Sequence, residues 1–165
     1  MVAHLRKGQA YRAQHRDEEA IRDLLEAARL EPEAPAPLLA LAELYDARGE
    51  PAMAARWYED ADRLMRDDSS VQYALALARY RAGNPAGAIE PLRRALARND
   101  SIAEAHYLLG LLYRDTGDIE HAVASLGSAV RLAPGLLALR RRTDAVELGQ
   151  RVMDRLAIDR AHRLE

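Results

Sequence analysis

The residues that could do chemistry are few, and their spacing gives them little to do. Five histidines stand at His4, His15, His106, His121 and His162. A helix-borne metal pair needs ligands one turn apart, as in His-Glu-x-x-His, and none of the five has ligand spacing. Cysteine is absent, which removes disulfides, thiolate metal sites and cysteine nucleophiles. The serines, Ser69, Ser70, Ser101, Ser125 and Ser128, fall at helix starts or on helix faces, with no Gly-x-Ser-x-Gly elbow. The one lysine, Lys7, lies in the first helix, so Gly83–Asn84–Pro85–Ala86–Gly87 is a turn and no phosphate-binding loop. The acidic clusters Asp17–Glu18–Glu19, Glu59–Asp60 and Asp67–Asp68 sit at or near helix ends. Those at helix N-termini answer the macrodipole. We expect no enzyme, no metal and no cofactor.

The elements that would position any site are helices. Ala occurs 33 times and Leu 25 times in 165 residues, while Val and Ile total 11 and Phe is missing. Sheet cores want β-branched and aromatic residues, so this composition favours helix and argues against a sheet. Net charge is −2, and no global basic field points to nucleic acid. The strongest basic runs, Arg140–Arg141–Arg142 and Arg93, Arg94, Arg98, are interspersed with carboxylates and read as solvated helix faces. No apolar run reaches about 18 residues, so no membrane insertion is expected. The compartment is not written in the chain; the missing signal peptide and apolar span tip it toward the cytoplasm. The excess of 23 Arg over one Lys fits a GC-rich, bacterial genome.

Shifting the chain against itself by 34 residues exposes a repeat. Ala20, Ala54, Ala88 and Ala122 share a column, as do Ala27, Ala61, Ala95 and Ala129. Gly8, Ala42, Ala76 and Gly110 form a third, all small, and Leu24, Tyr58, Leu92 and Leu126 a fourth. Tyr11, Tyr45 and Tyr113 align, with Arg79 breaking the column; Gly49, Gly83 and Gly117 align, with His15 in the first unit. Four units follow: 1–34, 35–68, 69–102 and 103–136. Each reads as two helices, the first ended by a left-handed glycine and the second capped by a polar side chain or opened by proline. The small columns let two antiparallel helices approach closely, with Gly110 expected against Ala122 and with Tyr113 and Leu126 on the flanks.

These columns resemble the tetratricopeptide repeat. The fourth unit has Leu109, Gly110, Tyr113, Gly117, Ala122, Leu126, Ala129 and Pro134 in place. Pentatricopeptide repeats have a 35-residue period, and the spacing here is 34 throughout. The first unit departs most: Lys7 stands where Leu41, Leu75 and Leu109 stand, and His4 and His106 replace a bulky apolar residue. The resemblance implies an all-α fold, a right-handed α-solenoid of four helix pairs over 1–136, with residues 137–165 as an amphipathic C-terminal capping helix. In that tail Ala138, Ala145, Leu148, Val152 and Leu156 give one apolar face, which a solenoid end needs covered.

The resemblance also implies a non-catalytic scaffold that binds a peptide or helical segment of a partner protein in a groove lined by the first helices. The outward face of those helices is charged at one end: Arg6, Gln9 and Arg12, then Leu39, Glu43 and Asp46. At the other end it is apolar and aromatic: Tyr73, Leu77, Tyr80 and Arg81, then Tyr107, Leu108, Leu111 and Arg114. Those eight are the expected peptide-binding residues, Tyr73 and Tyr107 as anchors and Arg81 and Arg114 at the rim. The carboxylate clamp by which some members hold chaperone tails is not expected. Its positions fall on Leu5, Gln9, Ala40, Ser70 and Ala74, or one step on Leu39, Glu43, Ala74, Glu104 and Leu108, and neither set supplies the cations. The alternatives are a self-assembly module, hence a homo-oligomer, and a docking or regulatory fragment of a larger protein. Mass in solution with and without residues 137–165 separates self-assembly from the groove.

Overall fold

The computed structural model describes residues 2–134. The described residues form eight α-helices and no strands. They are α1 (Val2–Ala13), α2 (Asp17–Leu30), α3 (Pro35–Ala47) and α4 (Pro51–Leu64), followed by α5 (Ser69–Arg81), α6 (Pro85–Arg98), α7 (Ala103–Asp115) and α8 (Ile119–Leu132). The expected capping helix at 137–165 lies outside the described residues.

Local chemistry sets the ends. Pro35, Pro51 and Pro85 open helices in the first turn, where a missing N–H costs nothing. The Asp68 carboxylate accepts from the Ser70 and Val71 N–H at 2.8 and 3.1 Å. Asn84 accepts from Gly87 at 2.9 Å and Asp118 from His121 at 3.3 Å. The first helices of the later pairs end in glycines with φ of 73° at Gly49, 78° at Gly83 and 82° at Gly117. A Cβ at any of the three would meet nothing within 4 Å, so conformation and not space selects glycine. In the first pair His15 holds that conformation, at φ 55°. A non-glycine residue there carries a strain of about 1 kcal/mol. His15→Gly should therefore raise stability by roughly that amount; an unchanged melting temperature would argue that the strain is absent.

Packing runs from each helix to the next in chain order, as expected of an array whose stability is a sum of units and neighbour interfaces. One cluster joins α2 to α3 through Ala20, Leu24, Ala40, Leu41 and Leu44, with Leu5 and Tyr11 of α1 against it. A second joins α3, α4 and α5 through Ala42, Ala54, Tyr58 and Leu75. A third joins α5, α6 and α7 through Ala76, Ala88, Leu92, Ala105, Leu108, Leu109 and Leu112. The small column is a steric requirement at its two glycines. A Cβ on Gly8 would sit 2.7 Å from Leu24 Cγ, and one on Gly110 2.6 Å from Leu126 Cγ. The atoms nearest that added Cβ on Gly110 all belong to Leu126. Leu126 reaches across the helix pair at that level.

Two departures from the repeat have structural causes. His4 and Lys7 of α1 converge on Asp23 of α2, whose side chain is only 11% exposed, at 2.9 and 3.3 Å. The His4 hydrogen bond, then Lys7, holds the Asp23 carboxyl below its ordinary range. A carboxyl lowered by folding contributes stability above its unfolded pKa and loses that contribution as pH falls through the folded one. The first helix is therefore docked partly by charge where the other pairs use leucine. Arg79 breaks the tyrosine column for another reason. Pro91 lies inside α6 and has no N–H for the Gly87 carbonyl one turn earlier. Arg79 of α5 donates to that carbonyl at 2.9 Å and to Glu59 of α4 at 3.0 Å. Installing the column's own residue, Arg79→Tyr, should destabilise by about 1–3 kcal/mol, because a part-buried acceptor loses its donor. Thermal melts of the variant and the parent check this, and equal melting points would refute it.

Candidate functional site

The outward face of the first helices is built from α1, α3, α5 and α7, and all its charges but Arg6 are paired among the described residues. Arg12 of α1 donates to Glu43 of α3 at 2.6 Å. Arg81 of α5 lies 2.9 Å from both oxygens of Asp46 of α3. Arg114 folds back on its neighbour Asp115, at 2.9 and 2.7 Å. Arg81, expected at the rim of the apolar end, is instead drawn toward α3, because a bidentate carboxylate lies within its reach. Arg114 is likewise half-neutralised in place.

The expected aromatic and aliphatic residues split by depth. Tyr80 is 41% exposed. Tyr73 and Leu77 are half-buried and pack against the third core cluster, and Leu111 is half-buried as well. Tyr107 and Leu108 are buried, 7% and 5% exposed. Leu108 is a core member, joined by Ala105 and Leu109 of the same helix. The two cannot act as projecting anchors, because α7 presents that part of its surface to the rest of the protein. Among the expected groove residues, Tyr73, Leu77, Tyr80 and Leu111 are thus the accessible apolar ones, while Tyr107 and Leu108 are buried.

One residue escaped the sequence reading. Tyr58 of α4 is buried, and burial, followed by Glu43 and Asp46, pushes its hydroxyl up to about 12. Arg81 and Arg12 oppose that rise. Tyr58 thus lies within electrostatic reach of the two cross-helix ion pairs. The signal was available: in the column Leu24, Tyr58, Leu92, Leu126 it is the one member with a polar tip.

Among the described residues no group of three or more His, Asp or Glu side chains could share a metal ion. His106 donates from Nε2 to the Asp100 carbonyl at 2.9 Å. His121 pairs with Asp118 and stacks near Tyr113 at 5.1 Å. No described helix is long and apolar enough to cross a membrane.

Three separate stretches match family models of the tetratricopeptide repeat: residues 2–33, 35–60 and 73–136. Together they take in most of the chain. The chain belongs to the tetratricopeptide repeat family. No curated protein is significantly similar to it. Solved structures of MamA are. One is 27% identical, with a TM-score of 0.71 over 78% of this chain and 75% of that one. A second is 26% identical, with a TM-score of 0.76 over 81% and 73%. An RS-1 MamA double mutant is 25% identical, with a TM-score of 0.69 over 89% of both chains. The fold is thus an all-α helical repeat, and the protein is an interaction scaffold of the general tetratricopeptide kind.

Proposed function

We propose that this tetratricopeptide array captures a short segment of a partner protein, extended or helical, on the face of its first helices. Tyr73, Leu77, Tyr80 and Leu111 form the contact surface. The observation that carries this reading is the pairing of three of the face's four arginines. Arg12 with Glu43, Arg81 with Asp46 and Arg114 with Asp115 are satisfied without a ligand. A highly charged ligand would have to break those pairs. An apolar one meets half-exposed side chains whose burial is favourable at about 25 cal/mol per Å². The bound segment contributes aliphatic or aromatic side chains, and the protein performs no chemistry on it.

A random peptide library displayed on phage tests the idea. Selected binders should be rich in apolar residues. Tyr80→Ala should cost about 1–3 kcal/mol of binding, with Leu77→Ala and Leu111→Ala smaller. Glu43→Ala and Asp46→Ala should change affinity little. If instead Tyr80→Ala and Leu77→Ala bind as tightly as the parent while Glu43→Ala or Asp46→Ala abolishes binding, the ligand sits on the charged end and the apolar reading fails.

A further inference from the structure

The second helices carry two adjoining pockets that the first-helix face does not use. The first, of about 430 Å³, opens between α2 and α4. Its walls include Leu25, Leu38, Trp57 and Leu64. Leu25 and Leu64 are 41% and 42% exposed, high for residues of that size. The buried indole N–H of Trp57 has no hydrogen-bond acceptor among the described residues. The second pocket, of about 450 Å³, lies between the C-terminal ends of α4 and α6 and gathers Arg63, Arg66, Arg94 and Arg98 against Asp62 and Asp67. Arg63 lines both, so the two pockets form one surface.

The four guanidiniums differ in what they are doing. Arg94 is locked to the buried Asp62 by two hydrogen bonds of 2.8 and 3.0 Å and also donates to the Arg66 carbonyl at 3.2 Å. Arg63 is held by Asp60 and Glu59 of its own helix, and its place in the last turn suits the macrodipole. Arg98 pairs with Asp67, but the two side chains are 58% and 73% exposed. Such a pair is weak in water and a competing carboxylate displaces it at little cost. Arg66 lies beyond the end of α4. Its carbonyl is used by Gln72 and Arg94, while no bond or ion pair occupies its guanidinium among the described residues. Ion pairing does not account for that charge. The pocket thus holds one unpaired positive charge, Arg66, and one weakly held one, Arg98, directly beside an open apolar cavity.

We propose that this surface docks a partner protein through a segment that bears an aliphatic side chain followed by carboxylates. The aliphatic group enters the α2–α4 pocket between Leu25, Trp57 and Leu64. The carboxylates meet Arg66 and Arg98, the second of which exchanges Asp67 for the ligand. Charge complementarity sets the direction of the segment along α4. The site is separate from the first-helix face, so a partner could occupy each at once.

Trp57 is the only tryptophan in the chain, so one indole signal in a nitrogen–proton NMR spectrum reports on the apolar pocket. The probe is a capped synthetic peptide of one leucine followed by a run of glutamates. It should move the indole signal saturably, and added salt should weaken the effect. Replacing its leucine by glycine, or its glutamates by lysines, should remove the response. Arg66→Glu should weaken binding about tenfold, since it sets like charges together, and Arg66→Gln by a smaller factor. Neither touches a structural bond of the Arg66 side chain, so melting temperature should stay put. Tyr80→Ala, on the other face, should bind as the parent does. The proposal is overturned if the indole signal does not move, if either control peptide binds equally, if Arg66→Glu binds as tightly, or if Tyr80→Ala abolishes the response.

Discussion

Tyr107→Ala should lower the stability of the folded array by about 3 kcal/mol, the range of large aromatic truncations in cores. Tyr80→Ala should lower it by less than about 0.5 kcal/mol, as surface substitutions do. The two tyrosines belong to neighbouring repeats and were both read as groove residues, yet they differ in depth: 7% against 41% exposed. Tyr107 fills space on α7 beside Ala105, Leu108 and Leu109, all buried, and its removal leaves a cavity that a packed helix pair cannot close. Chemical denaturation of both variants decides the matter. A Tyr107→Ala protein as stable as the parent would restore that residue to the ligand-contact surface.

Gly110→Leu should cost about 3 kcal/mol or more, and Ala88→Leu about 1–3 kcal/mol, by overfilling close helix contacts. The argument is steric. The first atom of any side chain on Gly110 would lie 2.6 Å from Leu126 Cγ and 3.1 Å from the Leu126 backbone nitrogen. The side chain could move, but the backbone could not without separating α7 from α8. Ala88 is fully buried in the third cluster, so added carbons there displace Leu92 or its neighbours. Ala124→Leu is the control: Ala124 is exposed on α8, and the change should be close to neutral. Three equal melting temperatures would mean that the helix pairs do not meet along the small column.

The order of helices and turns was legible because its causes are local. A left-handed glycine ends a helix through its own φ, whatever surrounds it, and Gly49, Gly83 and Gly117 do so. Asp68, Asn84 and Asp118 cap helices with side chains that reach only two or three residues along the chain. The alternation of alanine and leucine columns likewise fixed which stripe of each helix faces its partner. Even the identity of the family lay in those columns.

What the columns could not tell was where charges and aromatic rings end up once successive pairs stack. Arg81 lies 35 residues from Asp46 in the chain and Arg12 31 residues from Glu43, and each pair forms only because α1, α3 and α5 lie side by side. Tyr73 and Tyr107 occupy equivalent columns, but one is half-buried and the other buried, since depth depends on what packs over a position and not on its place in the period. Lys7 read as a defect in a leucine column until Asp23 appeared opposite it, and Arg79 as a defect in a tyrosine column until Pro91 left a carbonyl for it to fill. By itself, the sequence determined the elements, because propensity, caps and periodicity act over a few residues. Only the tertiary structure decided which side chains lie exposed and which are paired, because exposure and ion pairing are properties of the angle and distance between helices that the chain separates by a full repeat.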